Sequence, residues 1–189
     1  MSALSIPLDV VAERPRSGIE QVVLVDEQDR PLGVMEKLAA HREGRLHRAL
    51  SVVLRSPDGK LLMQRRAVGK YHSGGVWTNT CCSHPRPGEA VAEAAVRRLR
   101  EEMGIRVPVL AKLFETIYRA PVGRDLVEHE YVHVFGGVWT GSCTPDPEEV
   151  EDCAWMDAAA LRRDMAARPE RYSVWFRQYA EAFWDRMVA

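Results

Sequence analysis

Glu89-Ala-Val-Ala-Glu-Ala-Ala-Val-Arg-Arg-Leu-Arg-Glu-Glu-Met-Gly-Ile105, entered through Pro87-Gly88, is the segment around which the rest of the chain arranges itself. Ala92, Ala95, Val96, Leu99 and Met103 recur at helical spacing and Gly104 supplies the stop, which predicts a helix of about four turns over Glu89 to Met103. On its other side Arg97 and Glu101, and Arg98 and Glu102, stand one turn apart. Pairs at that spacing are ordinarily ion pairs of a solvated helix face, and this is the expectation for Arg97 and Glu101.

Just upstream lies Thr78-Asn-Thr-Cys-Cys-Ser-His-Pro85. In an extended segment, residues two apart project to the same side, so the thiol of Cys82 and the imidazole of His84 converge while Cys81 points elsewhere. Free cysteines are commonly buried small hydrophobes, and a lone Cys-x-His carries little weight. A set of metal-type ligands elsewhere in the chain gives it more. His41, His47 and His84 offer imidazoles, and Glu128 and Glu130 alternate along the strand-like Leu126-Val-Glu-His-Glu-Tyr-Val-His-Val-Phe135 run, which places both carboxylates on one face. Three nitrogen and two oxygen donors leave one position open on a six-coordinate ion and suit Mn²⁺, Zn²⁺ or Mg²⁺. The structural alternative is that His41 and His47 merely decorate a short helix and a loop. His129 and His133 turn away from the carboxylate face, and neither they nor His72 receive a role.

The segment around the helix is similar to the Nudix box, a glycine and a spaced glutamate followed by Arg-Glu-apolar-x-Glu-Glu-x-Gly-apolar. Glu89, Arg97, Leu99, Glu101, Glu102, Gly104 and Ile105 match it. Ser83 stands where its first glycine belongs, and Arg98 replaces the first glutamate of the Arg-Glu pair, a carboxylate that Nudix hydrolases use to bind catalytic metal. Exchanging that carboxylate for a cation argues against ordinary diphosphate hydrolysis. The chain also carries Glu36-Lys-Leu-Ala-Ala-His41, Arg45-Leu-His47, Arg65-Arg-Ala67, Gly75-Val-Trp-Thr-Asn79, Cys82-Ser-His-Pro85 and Glu128-His-Glu130 in order. In these it resembles the type I isopentenyl-diphosphate isomerase family, from about Gln21 to the Trp175 region.

That resemblance implies a Nudix-type α/β/α sandwich with a mixed β-sheet, and an allylic 1,3-proton shift converting isopentenyl diphosphate to dimethylallyl diphosphate. It implies Mg²⁺ between the substrate diphosphate and Glu102, helped by the backbone carbonyl of Cys82, with Lys37, Arg66, Lys70 and Arg98 around the phosphates. Guanidinium groups bind phosphate oxygens in a two-pronged way that lysine matches only as a point charge, which gives Arg98 a purpose; the bland alternative is a surface arginine paired with Glu102. Protonating an unactivated alkene needs a positioned acid and, across the hydrocarbon, a base. Cys82 and the metal-tied Glu130, working with the Tyr118 hydroxyl, are the expected pair, in either order. Trp175 is the expected aromatic face for the carbocation, worth roughly 0.5–2 kcal/mol, although Trp175, Phe176, Tyr179, Phe183 and Trp184 also fit the core stripe of a C-terminal helix.

The remaining features agree with an ordinary soluble enzyme. A chain of 189 residues suits one domain with an adequate core, expected over residues 19–189 behind a loose segment 1–18. Its net charge of −1 gives no electrostatic case for nucleic acid or an anionic membrane. The four cysteines lack the density or spacing of a disulfide framework, and a working thiol points to a reducing, cytoplasmic setting. No run approaches the ~18 apolar residues of a membrane span, and no oligomerisation motif stands out, so a monomer is the default. Strands are expected at Val22–Val25, Leu32–Met35, Leu50–Leu54, Leu61–Gln64, Val109–Tyr118, Leu126–Val138 and Val150–Trp155, and helices at Asp157–Ala167 and Ser173–Met187. Two rivals to the isomerase are a Nudix hydrolase of a nucleoside diphosphate derivative, for which Cys82 would be dispensable, and a non-enzymatic metal-binding module of the same fold.

Overall fold

A computed structural model describes residues 19–107 and 109–189; the loose segment expected at residues 1–18 lies outside them. The elements in chain order are β1 (Gln21–Val25), β2 (Pro31–Glu36), α1 (Lys37–Glu43), β3 (His47–Arg55), β4 (Leu61–Arg66), β5 (Trp77–Thr78), β6 (Cys81–Ser83), α2 (Val91–Met103), β7 (Ala111–Gly123), β8 (Leu126–Val138), β9 (Val150–Met156), α3 (Ala158–Ala167), a 3₁₀ turn (Pro169–Arg171) and α4 (Val174–Val188). All nine strands among the described residues join one sheet. β3 lies at its centre, pairing antiparallel with β1, β4 and β6 and parallel with β8. The expected mixed sheet is present.

Alternation along β3 explains the layers, because successive side chains leave a strand on opposite faces. Ala49 and Val53 join a core with Val132, Val134, Leu161, Trp175, Phe176 and Tyr179, covered by α3 and α4. Leu50, Val52 and Leu54 join a second core with Ala94, Ala95, Leu99 and Met103 of α2. Helices thus cover both faces. Cys81 packs into the α2 core and Cys82 against the α4 core, so the expected parting of the two thiols holds.

The box helix starts at Val91 rather than Glu89. Glu89 is committed to the turn before it, accepting from the Arg86 backbone N–H at 2.8 Å and from Arg97 at 2.6 and 2.8 Å. This also corrects the expectation of a solvated ion pair. Arg97 does bond Glu101, at 2.9 Å, but it is only 4% exposed because the Glu89 turn folds over it. On the apolar side Ala94 is buried and Ala92 exposed, a small rotation of the predicted stripe. Gly104 ends the helix at φ 66°, donating to Arg100 O, and an added Cβ would meet Thr144 O at 2.6 Å. Thr144 and Asp146 N–H groups donate to the carbonyls of Met103 and Glu102, satisfying helix-end acceptors that would otherwise lack partners.

The loop making those bonds is also where the cysteines depart from the sequence expectation, since Cys143 and Cys153 form a disulfide. The loop after β8 returns along α2 before β9 begins, which brings the two sulfurs together in a way that residue spacing does not reveal. Cys81 and Cys82 are free. Among the described residues, no helix is long and apolar enough to cross a membrane.

Candidate active site

Sheet register assembles most of the site. The parallel β3–β8 pairing aligns His47 with Glu130, antiparallel β7–β8 pairing aligns Tyr118 with Glu130 and Ala120 with Glu128, and β3–β6 pairing aligns Ser51 with Cys82. Glu128 and Glu130 therefore share a face with Val132 and Val134 two and four residues further on. His41 arrives from α1, whose first turn is capped by Glu36 accepting from the Leu38 and Ala39 N–H groups at 2.8 and 2.7 Å. The structure puts His47 on a strand, not in the loop of the bland alternative.

These residues surround a cavity of about 1180 Å³. Cys82, Glu130, Tyr118 and Trp175 line it together with Lys37, Arg66, Lys70, Arg98 and Glu102, so every expected catalytic and phosphate-handling side chain reaches one space. His84 and Glu128 line it as well, while His41 and His47 sit behind it with no exposure.

Cys82 is held by four neighbours. Its S–H donates to Asn79 Oδ1 at 3.1 Å, and its sulfur receives Trp175 Nε1–H at 3.2 Å and Ser51 Oγ–H at 3.4 Å, with Thr78 Oγ1 at 4.0 Å. Burial pushes the thiol up to about 11, so it keeps its proton at neutral pH. Trp175 thereby gains a position that its core-stripe spacing did not suggest. It is 2% exposed and packs in the α4 core, yet its N–H edge faces Cys82 and its ring lies 5.2 Å from the Arg66 guanidinium.

Facing polar groups organise the carboxylates. The Tyr118 hydroxyl lies 2.8 Å from both Glu128 Oε2 and Glu130 Oε2, and Glu130 Oε1 lies 3.0 Å from His84 Nε2 and 3.5 Å from His47 Nε2. Burial works against a charge on Glu130, but the facing imidazoles of His47 and His84 outweigh it and hold the group well below the usual carboxylate range. Burial and the neighbouring Glu130 push Glu128 the other way. His41, lowered to about 4 by burial and then by His84, is neutral, the form that binds metal.

A divalent ion fits this donor set. Nδ1 of His41 faces Lys37 O at 2.7 Å, and Nδ1 of His47 faces Arg45 O at 2.8 Å. An Nδ1–H donating to a carbonyl leaves the lone pair on Nε2, and both Nε2 atoms are buried without a hydrogen-bond partner. His41, His47, His84 and Glu130 bring their ligand atoms within 4.8 Å of one another. The fifth expected donor, Glu128, groups instead with His41 and with His72, a residue that no sequence pattern singled out.

At the other end of the cavity three of the four basic residues, Lys37, Lys70 and Arg98, are engaged by acids. Arg98 contacts Glu101 at 2.8 Å, Glu102 at 2.5 Å and Glu149 at 3.4 Å; Lys70 pairs with Glu149 and Lys37 with Glu20. Glu149 and Glu20 were not foreseen, since neither belongs to a motif and both meet their partners only through tertiary contact. Burial opposes ionisation of Glu149, but Arg98 and Lys70 hold it down to about 2 from an ordinary 4.5. A depressed carboxylate contributes stability that is fully present above about 4.5 and is lost as pH falls toward about 2, each unit being worth ~1.4 kcal/mol. Glu149→Gln is accordingly expected to flatten the loss of unfolding free energy between pH 5 and 3, by on the order of 2 kcal/mol; identical slopes in urea unfolding of both proteins would contradict this.

The sheet flanked by helices and the box helix at the cavity define a Nudix-type protein. The NUDIX domain family matches residues 45–176. Solved structures agree on the fold: one from Deinococcus radiodurans covers 87% of this chain and 99% of its own at 20% identity with a TM-score of 0.72, and a MutT NUDIX hydrolase from Burkholderia pseudomallei covers 73% and 98% at 18% with 0.59. Within that class the chain belongs to the isopentenyl-diphosphate Delta-isomerase family, being 51% identical to isopentenyl-diphosphate Delta-isomerase 1 of Aromatoleum aromaticum over 90% of this chain and 93% of that one. It is also 48% identical to the isopentenyl-diphosphate Delta-isomerase of Burkholderia multivorans over 83% and 89%.

Proposed function

We propose that this chain interconverts isopentenyl and dimethylallyl diphosphate by moving a proton on and off the five-carbon chain. The observation that carries the proposal is a single cavity lined at once by a protonated thiol, an ionised carboxylate and four basic side chains, in a member of this family. Lys37, Arg66, Lys70 and Arg98 hold the diphosphate, Lys70 and Arg98 exchanging Glu149 and Glu102 for phosphate oxygens. Glu102 and the Cys82 carbonyl would hold the Mg²⁺ that accompanies the diphosphate, and the ion would supply charge neutralisation there.

With the charged end anchored, the hydrocarbon extends between Cys82 and Glu130. One delivers a proton to the terminal alkene carbon, forming a tertiary cation, and the other removes a proton from the allylic carbon so that the double bond shifts by one position. Asn79 accepts from the Cys82 thiol and orients it, and the Trp175 N–H stabilises the sulfur once its proton has left. Tyr118 steers the Glu130 proton through their shared hydrogen bond. The Trp175 ring, buried beside the reacting centre, excludes water that would quench the cation to an alcohol and adds an electron-rich surface. His41, His47, His84, Glu128 and Glu130 would hold Mn²⁺, Zn²⁺ or Mg²⁺, and the ion's charge would fix Glu130 and lower its proton affinity. We take the working form to be a cytoplasmic monomer with Cys82 as a free thiol.

Purified protein supplied with Mg²⁺ in deuterated water is expected to produce dimethylallyl diphosphate containing deuterium, with no orthophosphate released. A product without solvent deuterium would exclude exchange through a thiol or carboxyl. Release of phosphate or of a nucleoside monophosphate, instead of isomer, would point to the hydrolase that the Nudix fold also supports.

A further inference from the structure

Neither the motifs nor the proposed roles above use His72, yet it is 5% exposed and faces the metal donors. It lies in the segment between β4 and β5 that also carries Lys70. Arg66 anchors that segment, its guanidinium donating to the carbonyls of Ser73 at 3.2 Å and His72 at 3.3 Å. The His72 ring is thereby turned inward, with Nε2 at 3.2 Å from Glu128 Oε1 and its centroid 5.9 Å from that of His41. The donors thus form two groups, His41 with His47, His84 and Glu130, and His41 with His72 and Glu128.

His41 belongs to both, and this decides how they are used. Its Nδ1 is taken by the Lys37 carbonyl, which leaves one nitrogen lone pair, and one lone pair binds one ion. Two ions cannot share it. Glu128 and Glu130 are likewise drawn together by the Tyr118 hydroxyl between them, so the two groups are halves of one centre. We infer that His72 is the sixth ligand of the ion held by His41, His47, His84, Glu128 and Glu130. This rests on the metal centre proposed above and extends it. A sphere of four imidazoles and two carboxylates leaves no position for water, in contrast to catalytic metal sites that keep one open to activate it. The ion then acts on substrate only through Glu130. The same bond ties the Lys70 segment to the metal centre, linking the phosphate-binding end of the cavity to its interior.

The test uses full-length protein loaded with one equivalent of Mn²⁺, dialysed, and kept free of Mg²⁺ and diphosphate. Water relaxation counts exchangeable waters on the ion. None is expected in the wild type and one in His72→Ala, whose Mn²⁺ affinity should fall by at least the roughly tenfold that loss of a supporting partner costs. A water on the wild-type ion overturns the inference whether or not the variant folds, and so does unchanged affinity in His72→Ala. Retention of Mn²⁺ by the wild type, with loss in His41→Ala, reports on the underlying centre separately. If the wild type retains no ion, the centre and the sixth ligand fall together; if it retains an ion that carries water, only the sixth ligand does.

Discussion

Replacing Cys82 with serine should lower turnover of isopentenyl diphosphate by about 10²- to 10⁴-fold, the usual contribution of one positioned acid or base, with little change in KM. Serine can still accept the Trp175 N–H and occupy much of the same space, so the pocket should survive. The proton inventory does not survive. A thiol at about 11 releases its proton to a strongly driven acceptor and takes one back, whereas an aliphatic hydroxyl is a far weaker acid. Substrate affinity should persist because the diphosphate is gripped elsewhere, by Lys37, Arg66, Lys70 and Arg98. Steady-state kinetics with an unfolding curve as control makes the comparison. Full turnover in Cys82→Ser would remove the thiol from the reaction and reopen the hydrolase and metal-module readings.

Glu130→Gln should be at least as damaging and should fail in a second way. The carboxylate is placed by two strand pairings, against His47 on β3 and Tyr118 on β7, and its Oε1 faces two imidazoles. An amide neither takes up a proton at neutral pH nor carries the negative charge that a cation centre needs. Turnover is therefore expected to fall by about 10²- to 10⁴-fold or more, accompanied by reduced metal content after dialysis, while Cys82→Ser retains its metal. Measuring both quantities in both variants separates the roles. Normal metal content and normal turnover in Glu130→Gln would break the link between the carboxylate, the ion and the proton shift.

Much of this site was legible because strand and helix periodicities are local. Alternation alone paired Glu128 with Glu130 on one face and parted Cys82 from Cys81, and helical spacing placed the α2 row of Ala95, Leu99 and Met103 against the sheet. Strand ends were less legible. β3 extends to His47 and β7 to Gly123, beyond the apolar runs, because pairing with long β8 continues the ladder past them. Arg97 was misjudged for a related reason, since its spacing from Glu101 suits a solvated face and only the Glu89 turn buries it.

Local order, then, follows from the chain itself: which residues line a strand face, where the box helix stops, and that an arginine stands where a hydrolase keeps a carboxylate. Tertiary structure alone decided the parallel register that brings His47 to Glu130, the Trp175 N–H on the Cys82 sulfur, the pairing of Cys143 with Cys153, and the inward turn of His72. Side-chain direction along a strand or helix is set by backbone geometry within a few residues. Contacts between segments tens of residues apart depend instead on how whole layers bury their apolar faces, and no short window of sequence contains that balance.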